Sequence, residues 1–252
     1  MVSVLTTTYN REDFVAEAVE SVLASSYGDF EYIIVDDCSK DGTVAIIEEY
    51  RKLDGRIRFY KNEKNLGDYN NRNKAAGYAT RKYIKYLDSD DIMYNHCLQA
   101  MVYSMSKFPE AGFGLSAKGD PSVAYPVCLS PRQIYLEHFN GYGHLNRAPG
   151  SAIIQRKAFE AVGGFTGARY IGDIELWFTL AQRYSLVKFP VDLYWARSHG
   201  HSEGAIEKGA DTAELRRSLI QRFLNSPQCP VTAEEIKVPF TKKIKQSLAR
   251  IL

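Results

Sequence analysis

Three carboxylates fall within four positions at Asp88-Ser89-Asp90-Asp91, directly after the apolar run Tyr83–Leu87. Hard oxygen ligands of this kind select Mg2+ or Mn2+, held jointly with substrate phosphates rather than in an all-protein cage. In an extended segment Asp88 and Asp90 point the same way and share one cation or one ribose–phosphate unit. The same triplet in isolation would also serve as a solvated turn capping the next helix. A second acidic pair, Asp36-Asp37, ends another apolar run and leads into Cys38-Ser39-Lys40-Asp41-Gly42-Thr43. One of its carboxylates can accept from a base N–H or a ribose hydroxyl, while Asp41 caps the following helix. The stretch Asn65-Leu66-Gly67-Asp68 is a glycine turn, and Arg72 then enters a helix where it can meet a base or a phosphate.

The elements that position these loops alternate. Val2–Thr7, Glu31–Asp36, Arg56–Tyr60 and Tyr83–Leu87 read as short buried strands. Helical stripes separate them at 12–25, 43–52 and 71–79. Strand and helix in alternation predict an α/β fold, with a mostly parallel, Rossmann-like sheet flanked by helices on both faces. Such sheets bind ligands at the carboxyl ends of their strands, where both acidic clusters fall. The loop after the first strand, Thr7-Thr8-Tyr9-Asn10, is neither G-x-G-x-x-G nor G-x-x-x-x-G-K-[ST], so phosphate charge must be neutralised elsewhere, and a metal ion is the candidate. Helices are expected at 96–107, at Arg156–Val162 and at 174–184, with a strand around Ile153-Ile154. Residues 109–150, rich in Gly, Pro, Tyr and Ser, have no clean period and read as irregular surface around a site.

The chain has 252 residues, 45% hydrophobic and 25% charged, with a net charge of +2. That is ordinary globular composition, and it lacks the basic excess of a nucleic-acid binder. No apolar run approaches the ~20 residues that span a bilayer. The N-terminal residues lack the pattern of a secretory signal, and Cys38, Cys97, Cys128 and Cys229 are scattered without a CxxC pair. Reduced thiols in a cytoplasmic protein are the expectation.

The segments VSVLTTTYN (2–10), IIVDDCSKDGT (33–43), NLGDYNNRNKAAG (65–77) and YLDSDD (86–91) resemble, in order and spacing, the family 2 glycosyltransferases of GT-A fold, inverting enzymes of the bacterial surface-polysaccharide type. Gly172-Asp173-Ile174-Glu175-Leu176-Trp177 is similar to the family's acceptor-side pattern, and Arg197-Ser198-His199-Gly200-His201-Ser202 to its R-x-H-x-x-S stretch. The resemblance implies transfer of a sugar from a nucleotide-sugar, UDP-linked, to a hydroxyl on a glycan or lipid-linked acceptor, with Mn2+ or Mg2+ as cofactor. It implies that Thr7, Tyr9 and Asp37 hold the nucleoside, that Arg72 lies near the base or diphosphate and that Asp88 lies on the ribose side. Asp90 and His199 would hold the metal, and Asp173 would be the general base. Residues 1–95 would be the nucleotide-sugar half, 96–205 the acceptor half and 206–252 a helical C-terminal extension. Gly172 departs from the Glu-Asp that members often carry, so Glu175 stays an alternative base, and His201 an alternative to His199.

Inversion has a physical logic. A cation stabilises the departing diphosphate, and a carboxylate on the opposite face takes the acceptor's proton. At a helix N-terminus Asp173 stays ionised, though weakened as a base. A sugar-1-phosphate nucleotidyltransferase would need a glycine-rich basic loop after the first strand, which is absent. A non-catalytic nucleotide-sugar or glycan-binding module is the other alternative. Most of the 17 Tyr and 12 Phe are expected in the core, which leaves Tyr142, Tyr170 and Trp177 as acceptor-side aromatics, with the helical spacing of Trp177 favouring the core. Residues 237–252 hold five basic residues (Lys237, Lys242, Lys243, Lys245 and Arg250) and no acid, against a body of 27 basic and 30 acidic residues. Such a tail suits peripheral contact with the inner face of an anionic membrane, or packing on the body.

Overall fold

Seven consecutive buried residues, Val2–Thr8 (β1), open the chain, as befits a β-branched run with a strand on each edge. The computed structural model describes residues 1–116, 123–141, 143–190, 193–200 and 212–236. After β1 come Val15–Leu23 (α1), Phe30–Asp36 (β2), Thr43–Leu53 (α2), Ile57–Lys61 (β3), Asp68–Gly77 (α3) and Tyr83–Tyr86 (β4). Ile92–Met93 (β5), Cys97–Ser106 (α4), Phe113–Ser116 (β6), Val127–Leu129 (β7) and Pro131–Asn140 (α5) follow. Ala152–Gln155 (β8), Arg156–Ala161 (α6), Gly172–Ala181 (α7), Leu186–Phe189 (β9), Tyr194–Trp195 (β10) and Thr212–Leu224 (α8) complete the described strands and α-helices.

One eight-stranded sheet runs β3-β2-β1-β4-β8-β6-β9-β7, and β10 pairs with β5 in a separate two-stranded ribbon. β1, β2, β3 and β4 are mutually parallel where they pair. Register therefore aligns their carboxyl ends: Thr8 faces Asp36, and Asp36 faces Lys61. Alternation along each strand divides the core. Leu5, Ile33, Val35 and Tyr86 pack on the face carrying α3, α5 and α7. Val4, Ile34 and Tyr83 pack on the face carrying α1 and α4.

The interval 109–150, expected to be irregular, contains β6, β7 and α5. β6 is short and holds Gly114, where a Cβ would lie 2.5 Å from Phe189 Cε1, so close packing rather than propensity selects the residue. Among the described residues no helix is long and apolar enough to cross a membrane. The basic tail at 237–252, His201 and Tyr142 lie outside the described residues.

Candidate active site

The acidic loop leaves β4 as a turn, closed by the Asp91 N–H donating to Asp88 O at 3.0 Å. Extended-chain alternation therefore does not apply, and the three carboxylates part company. Asp88 Oδ1 meets Arg72 Nη2 at 2.7 Å. Asp90 Oδ2 accepts from Arg11 Nε at 3.1 Å and stands 2.9 Å from His199 Nε2. Asp91 Oδ1 accepts the Arg197 N–H at 3.0 Å. Burial, followed by the charge of Asp88, lifts the Asp91 carboxyl to about 7, against the Arg197 N–H bond, which lowers it.

The β5–β10 ribbon explains how residues over a hundred positions apart meet. It starts beside the acidic loop and delivers the chain to Arg197 and His199. His199 then stacks on Phe14 with ring centroids 4.4 Å apart, and the Arg197 guanidinium lies 5.1 Å over the same ring. The 2.9 Å Asp90–His199 contact is a hydrogen bond, and it brings a carboxylate and an imidazole, both donors that a divalent ion takes, to one point beside Arg11. Among the described residues no three His, Cys, Asp or Glu groups gather into a cage. Such a half-site suits an ion that draws its remaining ligands from phosphates.

Beside this lies a second pocket wall. Tyr9 is 44% exposed at the carboxyl end of β1, free of the core and open to a stacking partner. Thr7 is buried and paired with Val35. Asp37 is buried and ties down the 65–67 loop: Oδ1 accepts from Asn62 Nδ2 and Leu66 N, both at 2.8 Å, and Oδ2 from Gly67 N at 2.9 Å. Gly67 has φ +80, a left-handed conformation suited to glycine. Unmet hydrogen-bonding capacity gathers on the same edge. Thr8 Oγ1, Asp36 Oδ2, Asn62 Oδ1, Arg72 Nη1 and Arg197 Nε are buried without a partner. Buried polar groups are normally satisfied, so each of these atoms keeps capacity for a further hydrogen bond.

Asp173 lies in the first turn of α7, half-buried, and its backbone N–H donates to the Tyr69 hydroxyl at 3.3 Å. Glu175 is different. It is 5% exposed, with one oxygen taking the Thr166 hydroxyl and the other pairing with Arg222 of α8. It fastens α7 to α8 and has no open face. Trp177 is fully buried and stacks on Phe113, which makes it core as expected.

Two participants escape sequence reasoning. Arg11, directly after the β1 loop, reads as an ordinary surface cation. Lys85, in the middle of an apolar strand, is 0% exposed and donates to Tyr86 O and Gly150 O, both at 2.5 Å. Burial pulls its pKa below the usual lysine value, while nearby Cys97, Asp88 and Asp91 oppose that shift. Only its odd polarity within YIKYL hinted at a role.

Comparisons with known proteins give the chain's family and fold. The Glycosyl transferase family 2 model matches residues 3–163. TuaG of Bacillus subtilis (strain 168), provisionally assigned as a teichuronic acid biosynthesis glycosyltransferase, is 40% identical over 122 residues, covering 47% of this chain and 48% of TuaG. WfgD of Escherichia coli, a UDP-Glc:alpha-D-GlcNAc-diphosphoundecaprenol beta-1,3-glucosyltransferase, is 35% identical over 107 residues, covering 42% of each chain. These matches span less than half of either relative. The crystal structure of S. aureus TarS 1-349 in complex with UDP-GlcNAc superposes with a TM-score of 0.69 at 19% identity, covering 90% of this chain and 67% of that one. The sheet order and this likeness make the fold GT-A, and with the family model matching well over half its length, the chain belongs to glycosyl transferase family 2.

Proposed function

We propose that the protein is an inverting, metal-dependent glycosyltransferase that moves a sugar from a UDP-linked donor to a hydroxyl of a glycan or lipid-linked acceptor in polysaccharide or glycolipid synthesis. The observation that carries this reading is the convergence of Asp90, His199, Asp88 and Arg72 beside unpartnered buried polar atoms at the carboxyl edge of β1–β4. The named activity of WfgD on a diphosphoundecaprenol-linked acceptor and the UDP-GlcNAc complex of TarS support the choice of donor and acceptor. Residues 1–95 form the donor half and 96–205 the acceptor half.

In this reading Tyr9 stacks on the base, Thr7 lines the nucleoside pocket and Asp37 accepts the imino N–H through Oδ2, which takes only one other donor. Arg72, buried and already set by Asp68 at 2.8 Å, faces the diphosphate side while Asp88 takes the ribose side. Asp90 and His199 would hold Mn2+ or Mg2+, which would supply Lewis-acid stabilisation of the leaving diphosphate. Asp173 takes the acceptor hydroxyl's proton as the oxygen attacks the anomeric carbon from the face opposite the diphosphate. Glu175 is left out of that role because both its oxygens are engaged. A cytoplasmic site with peripheral membrane contact suits a lipid-linked acceptor.

The test is Asp173→Asn in purified protein. UDP should still raise the melting temperature in the presence of Mn2+, since native-state ligands stabilise by mass action, while sugar transfer is abolished. Loss of UDP binding along with transfer would make Asp173 a structural cap instead.

A further inference from the structure

α3 presents two neighbouring faces to the two halves of the site. Asp68 and Arg72, four residues apart, lie toward the acidic loop: Arg72 joins Asp68 at 2.8 Å and Asp88 at 2.7 Å. Tyr69 and Asn73, also four apart, lie toward the segment that leads into α7. Asn73 clamps the Phe165 backbone from both sides, with Nδ2 donating to Phe165 O at 2.7 Å and Oδ1 accepting from Phe165 N at 2.9 Å. The Tyr69 ring lies with its centroid 5.0 Å from that of Phe165, and its hydroxyl accepts from Asp173 N at 3.3 Å.

Gly172 explains the contact. A Cβ there would sit 2.7 Å from Tyr69 Cε2, 2.8 Å from Cζ and 3.0 Å from Cδ2. No positive φ demands a glycine at this position. The demand is steric, because the Tyr69 ring occupies the space that any larger residue would fill. Gly172 and the aromatic residue on α3 form one interlock.

We propose that Tyr69 is a positioning residue for Asp173, its ring and hydroxyl setting the first turn of α7, whose Ile174 N–H donates to Asp173 Oδ1 at 2.7 Å and so directs the carboxylate. The inference rests on the reading of Asp173 as the base. Through Asp68, Arg72 and Asp88, the same helix ties that direction to the donor side. Burial, followed by the charges of Asp173 and Asp68, keeps the Tyr69 hydroxyl protonated. It therefore accepts from Asp173 N while retaining a hydrogen of its own to donate.

The experiment compares Tyr69→Phe, Tyr69→Ala, Gly172→Ala, the Tyr69→Ala/Gly172→Ala double variant and Asp173→Asn. The readouts are UDP release from UDP-glucose and UDP-GlcNAc with Mn2+ and water as acceptor, together with thermal unfolding. Tyr69→Phe keeps the ring, and is expected to lower kcat about two- to tenfold, the factor one net hydrogen bond is worth, with KM for the sugar nucleotide unchanged. A role in folding alone would move the melting temperature without this kcat-against-KM split. Gly172→Ala should lower the melting temperature in the wild-type background and much less beside Tyr69→Ala, because the two share one space. If Asp173→Asn is inactive while Tyr69→Phe keeps wild-type kcat, or if Gly172→Ala is equally costly in both backgrounds, the role of Tyr69 is overturned and the base reading stands. If Asp173→Asn releases UDP at the wild-type rate, the base reading itself falls.

Discussion

Asp37 separates a loop anchor from a nucleotide contact, because its two oxygens are used unequally. Oδ1 accepts from Asn62 Nδ2 and Leu66 N, and Oδ2 from Gly67 N. Asp37→Ala removes all three bonds. Hydrogen bonds to a charged acceptor contribute about 1.5–3 kcal/mol each. Leu66 and Gly67 lie in a partly exposed loop, so water recovers much of what is lost, and the net cost is about 2–4 kcal/mol. For a chain of this size each kcal/mol lowers the melting temperature by about 2–4 °C, which places the expected drop near 5–15 °C. Asp37→Asn is the sharper variant. With its remaining oxygen at the Oδ1 position, the donors from Asn62 and Leu66 stay satisfied, and only the Gly67 contact is lost. The melting temperature should fall by about a third as much, since one bond of three is broken. The amide also presents a donor where the base N–H must be accepted, so UDP affinity measured by calorimetry should fall about tenfold or more, the effect of leaving a ligand N–H unpaired. An Asp37→Ala protein that melts with wild type refutes the anchoring argument. An Asp37→Asn protein that binds UDP with wild-type affinity refutes the nucleoside role.

Further expectations concern the charges beneath and beside the site. Lys85→Met removes two hydrogen bonds and the cation facing Asp88 and Asp91, and should destabilise by about 2–4 kcal/mol in chemical denaturation. Because the folded-state pKa of Lys85 lies below 10.5, the unfolded chain binds more protons between the two values, and wild-type stability should rise relative to the Met variant as pH climbs toward 10.5. A relative fall over that range would contradict the burial argument. Asp90→Ala should lose the Mn2+-dependent part of the UDP-induced thermal shift and keep the metal-free part; an unchanged Mn2+ response would remove Asp90 from the metal. Arg222→Ala leaves Glu175 buried with only the Thr166 hydroxyl. Since the Arg222 side chain is 60% exposed and screened, the cost should be about 1–2 kcal/mol by denaturant unfolding, and a larger loss of transfer than of stability would show that α8 aims α7.

Some of what the sequence reading passed over was legible. α5 begins with a capping box, Ser130 and Gln133 bonding reciprocally around Pro131 at the first helical position, and Ser-Pro-x-Gln is a helix start that local chemistry alone explains. β6 and β7 were not legible, since strands of four and three residues carry too few alternations to establish a period, and β6 is recruited by β8 and β9 on its flanks. The acidic loop shows the opposite error. Alternation was assumed where the chain turns, and the turn sends Asp88, Asp90 and Asp91 to three different partners.

What the sequence determined by itself is local and periodic: the alternating strands and helices, the absence of a glycine-rich phosphate loop, and the acidic and helix-entry motifs that mark one sheet edge. These depend on side-chain types within a few residues, which is the range over which propensity and pattern act. The tertiary structure decided which of those groups meet. His199 reaches Asp90 only because the β5–β10 ribbon folds back beside the acidic loop. Glu175 is paired because α8 brings Arg222 to it, and Gly172 meets a tyrosine on α3 that fills the space of a side chain. Each of these is a contact between residues roughly fifty to a hundred positions apart, set by packing and charge pairing that no local pattern encodes.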